Sequence, residues 1–248
     1  MHQITRLQAA LRPHLPWHGA RLSFLAAFLI ALLRVKTVNF VELATGFGGK
    51  AHTDSHTERI QRFFGHYEIN TAQIAKAVVG LMNIPLPWVL SLDRTEWQFG
   101  SCVFNILMLG VVHEGIAFPL VWCVLDKRGA SNVDERAELF NEFLARFDAD
   151  CVACLTTDRE FMGKDWFAYL LGEPNTDFRI RIRASDKLDD GRQSLKASVV
   201  FQDLQVGQTK VLRQPRLLWG HKLYIAALRL EDGELLIVAT QTHPKRPS

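Results

Sequence analysis

The chain has 248 residues, 48% of them hydrophobic and 22% charged, with a formal net charge of +3. That composition excludes a disordered chain, and the length is enough to bury one large core or two modest ones. Charge is unevenly spread: residues 1–80 carry 9 Lys/Arg against 4 Asp/Glu, 81–177 carry 7 against 15, and 178–248 carry 13 against 7. An acidic middle between basic lobes fits a cation-binding core held against a polyanion, or an incidental scatter of surface charge.

In chain order, Pro13, Pro16 and Gly19 separate a first weak helix from an apolar one at about 20–36. Its run Leu22 to Leu33 falls short of the roughly 20 apolar residues a membrane span needs, and lacks a small-residue cleavage site. A buried core helix is expected, and no membrane partner. Residues 37–46 read as a short helix stopping at Gly46, followed by a turn through Lys50. Ser55, with Glu58 three residues on, has the form of a capping box opening a helix that carries Arg59 and Arg62. A further helix runs from Thr71 to Leu81. This helical unit, residues 1–84, fits a DNA-reading domain or an ordinary bundle with solvated arginines. His52 and His56 have metal-ligand spacing, but no further ligand lies near them in sequence.

Pro85 and Pro87 mark a boundary. Strands are expected at 88–97, at 101–113 (apolar throughout and so buried on both faces) and at 116–125, where Pro119 implies a bulge or a sheet edge. An amphipathic helix follows, capped by Asn132 with Glu135 completing a box, its apolar stripe formed by Val133, Ala137, Phe140 and Leu144 with Phe143 and Phe147 beside them. Next come a strand ending at Asp158, a helix at 163–171, and a strand at 178–184 with one basic and one apolar face. From 185 to 239 the pattern is β throughout, with strands at 198–201, 210–212, 221–228 and 234–239. Cys102, Cys123, Cys151 and Cys154 all sit in apolar strand-like runs. They read as free thiols in a reducing, cytoplasmic setting, because residues three apart on a strand face opposite ways.

Two buried strands thus each end in an Asp-Arg pair, Asp93-Arg94 and Asp158-Arg159. A buried strand tolerates a carboxylate when that group is paired, hydrogen-bonded or metal-bound. Two-metal phosphoryl transfer needs carboxylates from neighbouring strands around ions about 3.5–4 Å apart, and aspartate oxygens suit Mg²⁺.

Leu92-Asp93-Arg94-Thr95-Glu96-Trp97 and Thr157-Asp158-Arg159-Glu160-Phe161 resemble the first two acid motifs of DDE-type insertion-sequence transposases. The similarity extends to Asn105–Gly110, the Pro119 strand and the Gly129-Ala130-Ser131-Asn132 helix start. The resemblance implies an α/β fold: a ribonuclease H-like mixed sheet with flanking helices over 85–184, an N-terminal all-helical DNA-binding domain over 1–84, and a β-rich insertion over 185–248. It implies Asp93 and Asp158 as catalytic metal ligands, with Mg²⁺ as cofactor and Mn²⁺ as substitute. The implied partner is double-stranded DNA, as transposon terminal inverted repeats and target, with a homodimer on DNA. Arg59, Arg62, Arg179, Arg181, Arg183 and Trp219 are the candidate DNA contacts; Trp219 and Tyr224 fit either base stacking or core packing.

The family's third acid lies in a Tyr-Arg-Glu-Lys signature, and none of Tyr67, Tyr169 or Tyr224 has that spacing after it. Glu231 and Glu234 flank a hairpin turn and are not substitutes. The expectation is a C-terminally truncated transposase, inactive alone. The alternatives are a DNA-binding form that inhibits the full-length enzyme, and an unrelated metal-dependent nuclease.

Overall fold

The computed structural model describes residues 2–49 and 51–244. The chain divides into two compact units, Met1–Ile84 and Pro85–Ser248.

The first unit holds α1 (His2–Leu11), α2 (Gly19–Val35), α3 (Phe40–Thr45), α4 (Thr53–His66) and α5 (Thr71–Met82). α2 is apolar on most of its circumference and serves two clusters. Leu22 and Ala26 pack with Leu11, Leu15, Trp17 and Ala77; Phe24 and Ala31 pack with Leu43, Ala44 and Ile60. Gly46 ends α3 against α2, where a Cβ would lie 2.7 Å from the Val35 side chain. α4 begins at Thr53 rather than at Ser55, with His52 as N-cap and no side-chain capping bond. The box predicted at Ser55 is therefore absent: the helix starts earlier and buries His56 and Ile60 on one face. Lys50, assigned to the preceding turn, lies outside the described residues.

The second unit opens with β1 (Trp88–Phe99), β2 (Cys102–His113) and β3 (Ile116–Leu125), an antiparallel meander. α6 (Val133–Leu144), β4 (Val152–Thr157), α7 (Lys164–Leu171) and β5 (Phe178–Ile182) follow, with β4 parallel to β1 and β5 parallel to β4. The order β3-β2-β1-β4-β5, with helical crossovers before β4 and β5, is a ribonuclease H-like sheet. Beyond it lie β6 (Lys187–Asp189), β7 (Ser194–Lys196), α8 (Ala197–Val200), β8 (Thr209–Val211), β9 (Arg216–Leu218), β10 (His221–Arg229) and β11 (Leu235–Thr240). β11 pairs antiparallel with β5, so residues 185–240 continue the same sheet.

α6 is capped as its sequence implies: the Asn132 side chain accepts from Glu135 N (2.9 Å) and Glu135 Oε2 accepts from Asn132 N (2.7 Å). Its buried face is Arg136, Leu139, Phe140 and Phe143, rotated from the stripe expected on Val133 and Ala137. α7 buries Trp166, Phe167 and Leu170, with Phe167 5.0 Å from Phe178 of β5. Pro119 sits on the edge strand, opposite a register shift at Leu109/Gly110. A Cβ on Gly110 would meet the Phe118 carbonyl at 2.7 Å.

Two further expectations fail. β2 is buried on one face only: Leu107, Leu109 and Val111 are inside, while Phe104 is 42% exposed and Met108 half-exposed. The reason is that α6 and α7 cover the face shared by Leu90, Leu92 and Ile180, whereas the Ser91, Met108 and Thr156 side is more open. Ser198-Val199-Val200, predicted as strand, is helical in α8. Ala197 and Phe201, one turn apart, are both fully buried there, and this tertiary burial overrides β propensity.

Candidate two-carboxylate site at the ends of paired strands

β1 and β4 pair in parallel through Leu92↔Thr157, and Asp93 and Asp158 are the residues that follow that pair, on the more open face. Asp158 lies just beyond β4, but Asp93 does not end its strand as expected, because β1 runs on to Phe99 in its pairing with β2. Both are exposed. Asp93 Oδ1 accepts from the backbone N of Arg94 at 2.8 Å. Asp158 Oδ1 lies 3.6 Å from Arg181, whose other nitrogen is 2.5 Å from Glu234. Glu234 also lies 3.6 Å from Arg159. Glu234 therefore shares an ion network with Asp158 through an arginine, at the hairpin end of β11.

The two strand ends are tied together on the covered face. Arg94 donates Nε to Glu160 Oε1 (2.5 Å) and Nη2 to Oε2 (3.3 Å), a bidentate pair. Its Nη1 donates to Asn105 Oδ1 at 3.1 Å. Asn105 is fully buried and donates to the carbonyls of Lys127 and Gly129 at 2.8 and 2.9 Å. This chain of bonds links the segment after Asp93, the turn after Asp158 and the loop leading to α6. Next to it, buried Arg136 donates Nε to Ser131 Oγ at 2.9 Å and Nη2 to the Ser131 carbonyl. The Arg136 guanidinium sits 5.2 Å from the centre of the Phe161 ring. Burial pulls the Arg136 pKa down, opposed by Glu160 and Glu135. Phe161 N donates to the Asp158 carbonyl (3.0 Å), closing the turn.

Glu160, Asn105 and Arg136 were not singled out from the sequence as site residues. One signal was present: Asn105 is a lone amide in an apolar strand, and a buried amide must find partners. Arg94, which follows Asp93 in the sequence, is committed to Glu160 and Asn105.

The other candidates separate. Arg179 is exposed on β5, in register with Thr156, and so on the open face near the acids. Arg181 is half-buried in its carboxylate pairs. Arg183 is exposed, with its N bonded to Asp186 at 2.8 Å. A cavity of about 420 Å³ runs between Ser91, Thr156, Asp158, Arg179 and Arg181. Trp219 stands at positive φ with its ring 5.5 Å from Phe167, a packing position. Tyr224 faces His243 at 5.0 Å. Arg59 and Arg62 are exposed on α4 of the helical unit. His52 caps α4, and His56 is buried against Phe47 at 5.1 Å. Cys151 and Cys154 are free and buried, and burial raises both thiol pKa values. Among the described residues, no group of three His, Cys, Asp or Glu side chains is placed to hold a metal ion. Asp93 and Asp158 are hard oxygen donors, the type that Mg²⁺ binds through one or two carboxylates plus water or phosphate.

No family model matches the chain, and no curated protein matches it. Among solved structures it is similar to a piggyBac transposase in a synaptic complex with hairpin DNA, at 12% identity and a TM-score of 0.43, covering all of this chain and 60% of that one. It is similar to the endonuclease V of Bacillus subtilis (11% identity, 71% and 78% of the two chains, TM-score 0.34). It is also similar to the catalytic domain of human endonuclease V (16%, 79% and 84%, 0.37). The chain thus spans less than two thirds of that transposase chain's length. Likenesses of this size place no residue and decide no activity; the fold rests on strand order and pairing.

Proposed function

We propose that this chain is a DNA-binding protein of the transposase class, acting on phosphodiester bonds at Asp93 and Asp158. The observation that supports the reading is that Asp93, midway along β1, and Asp158, just beyond β4, directly follow Leu92 and Thr157, the last pair of those parallel strands. Asp93 and Asp158 would hold a divalent cation, Mg²⁺ or Mn²⁺, which would polarise a phosphoryl oxygen and lower the pKa of an attacking water. In this reading the chain holds one carboxylate on β1 and the other just beyond β4, Arg94 and Glu160 brace the segments that carry them, and Arg179, in register with Thr156, would serve as a phosphate partner. Arg181 supplies Asp158 with a countercharge.

A second reading has support as well: binding to DNA without cutting it. Among the described residues no third acid is placed with the two aspartates to hold a metal ion, and Asp158 is already matched with Arg181. Misplacement by about 1 Å costs on the order of a hundredfold in rate, so an incompletely held cation would leave little cleavage. The experiment is a supercoiled-plasmid nicking assay with Mg²⁺ or Mn²⁺, beside calorimetric cation titration. Cation binding lost in Asp93→Asn and Asp158→Asn, with DNA retained by both variants, supports the site. Cation binding unchanged in both would refute it. Nicking abolished by Asp93→Asn would select the first reading over the second.

A further inference from the structure

Arg21 of α2 and Arg59, Arg62 and His66 of α4 line one solvent-open cleft of about 330 Å³ in the helical unit. No carboxylate lines this cleft, and none of the three arginines forms an ion pair among the described residues. The cleft has an aromatic floor: Phe24 and Phe63 lie 4.7 Å apart, Phe63 and Tyr67 5.3 Å apart. The Arg21 guanidinium lies 4.2 Å from the Tyr67 ring centre and that of Arg59 5.5 Å from Phe24. A guanidinium resting on a ring uses its face and keeps its N–H edges free, pre-oriented for a planar or tetrahedral oxyanion. Three like charges gathered without a countercharge repel one another, and an anion in the cleft relieves that repulsion.

From this geometry we infer that the cleft is a seat for backbone phosphates of a nucleic-acid strand. Arg59, Arg62 and His66 follow one another along α4 at successive turns, rising about 4.5 and about 6 Å at the helical rise per residue. That spread suits consecutive phosphates of a strand better than one free ion. The inference rests on the DNA-binding reading for the nature of its ligand, and it concerns the helical unit alone.

The test uses the full chain and a fluorescent 30-nucleotide DNA, single-stranded and duplex, with anisotropy read across a salt series. Each phosphate contact contributes about −0.9 to the slope of log K against log salt, so two contacts are worth about 60-fold in affinity at 0.1 M. Arg59→Gln/Arg62→Gln should flatten the duplex slope by about 1.8 and weaken binding by that order. Arg59→Lys/Arg62→Lys should recover most of the slope, and Lys76→Gln, outside the cleft, should change little. Should the glutamine pair unfold the unit, Arg62→Gln alone, whose side chain makes no ring contact among the described residues, carries the test at half the slope change. DNA binding that is strong and salt-dependent but no more sensitive to the cleft pair than to Lys76→Gln overturns the cleft and leaves the DNA-binding reading standing. No salt-dependent DNA binding by the wild-type chain overturns both. Competition by inorganic phosphate as effective, per phosphate, as by DNA assigns the cleft to a free anion and overturns the strand.

Discussion

Removing the Arg94 side chain should destabilise the sheet unit by at least about 3 kcal/mol. Arg94 and Glu160 are 17% and 32% exposed at their side chains, between the surface and buried cases. Surface pairs are worth about 0–1 kcal/mol, and breaking a buried pair costs about 3–5 kcal/mol. A bidentate pair at this depth falls near 2 kcal/mol, taken midway between those ranges. Arg94→Ala also strips the donor from Asn105 Oδ1, and Asn105 is fully buried. An unsatisfied buried acceptor costs about 1–3 kcal/mol more. Glu160→Gln keeps an acceptor for Arg94 and should cost less, about 1–2 kcal/mol. For a unit of this size, about 3 kcal/mol corresponds to a fall in Tm of roughly 6–12 °C. Urea unfolding followed by tryptophan fluorescence measures it; most tryptophans lie beyond residue 85, so that signal reports chiefly on the sheet unit. A double-mutant cycle between Arg94→Ala and Glu160→Ala should show coupling above about 1 kcal/mol. Coupling near zero, with Arg94→Ala costing under about 1 kcal/mol, would mean the pair is solvated and braces nothing.

Two further outcomes are expected. His56 is buried with neither ring nitrogen hydrogen-bonded among the described residues, and burial, then the Arg59 charge, lowers its pKa from 6.5. The unfolded chain therefore takes up the proton first, so the helical unit is fully stable above about pH 6.5 and weakens below it, by at most about 1.4 kcal/mol per pH unit; circular-dichroism melts of His56→Phe should lack that slope, and a slope unchanged by the substitution would show the reasoning wrong. Phe143, fully buried under the sheet, should cost about 3–5 kcal/mol when changed to Ala, read by the urea midpoint.

Much of the architecture was legible because it is encoded locally. Strand alternation, the Asn132 box, Pro119 at an edge bulge and the apolar strand segments that lead into Asp93 and Asp158 each depend on residues a few positions apart. Where local signals misled, the deciding partner lay elsewhere in the chain. Val199 and Val200 have β propensity, but Ala197 and Phe201 bury one turn apart and make the segment helical. β2 is apolar throughout, yet how many of its faces are covered depends on which side of the sheet α6 and α7 cross.

The same division holds at the site. That an apolar strand segment leads into each aspartate can be read from the chain order alone; that β1 runs on past Asp93 to Phe99 cannot. That both follow one strand pair, Leu92 with Thr157, depends on the parallel pairing of β1 with β4 across 65 residues of sequence. That Arg94 reaches Glu160, 66 residues on, and that Arg181 stands by Asp158, depends on the pairing of β4, β5 and β11. A period or a cap is a property of neighbouring side chains on one backbone, so sequence alone determined those. A salt bridge between distant strands exists only once topology and register have been chosen, and that choice belongs to the packed sheet as a whole.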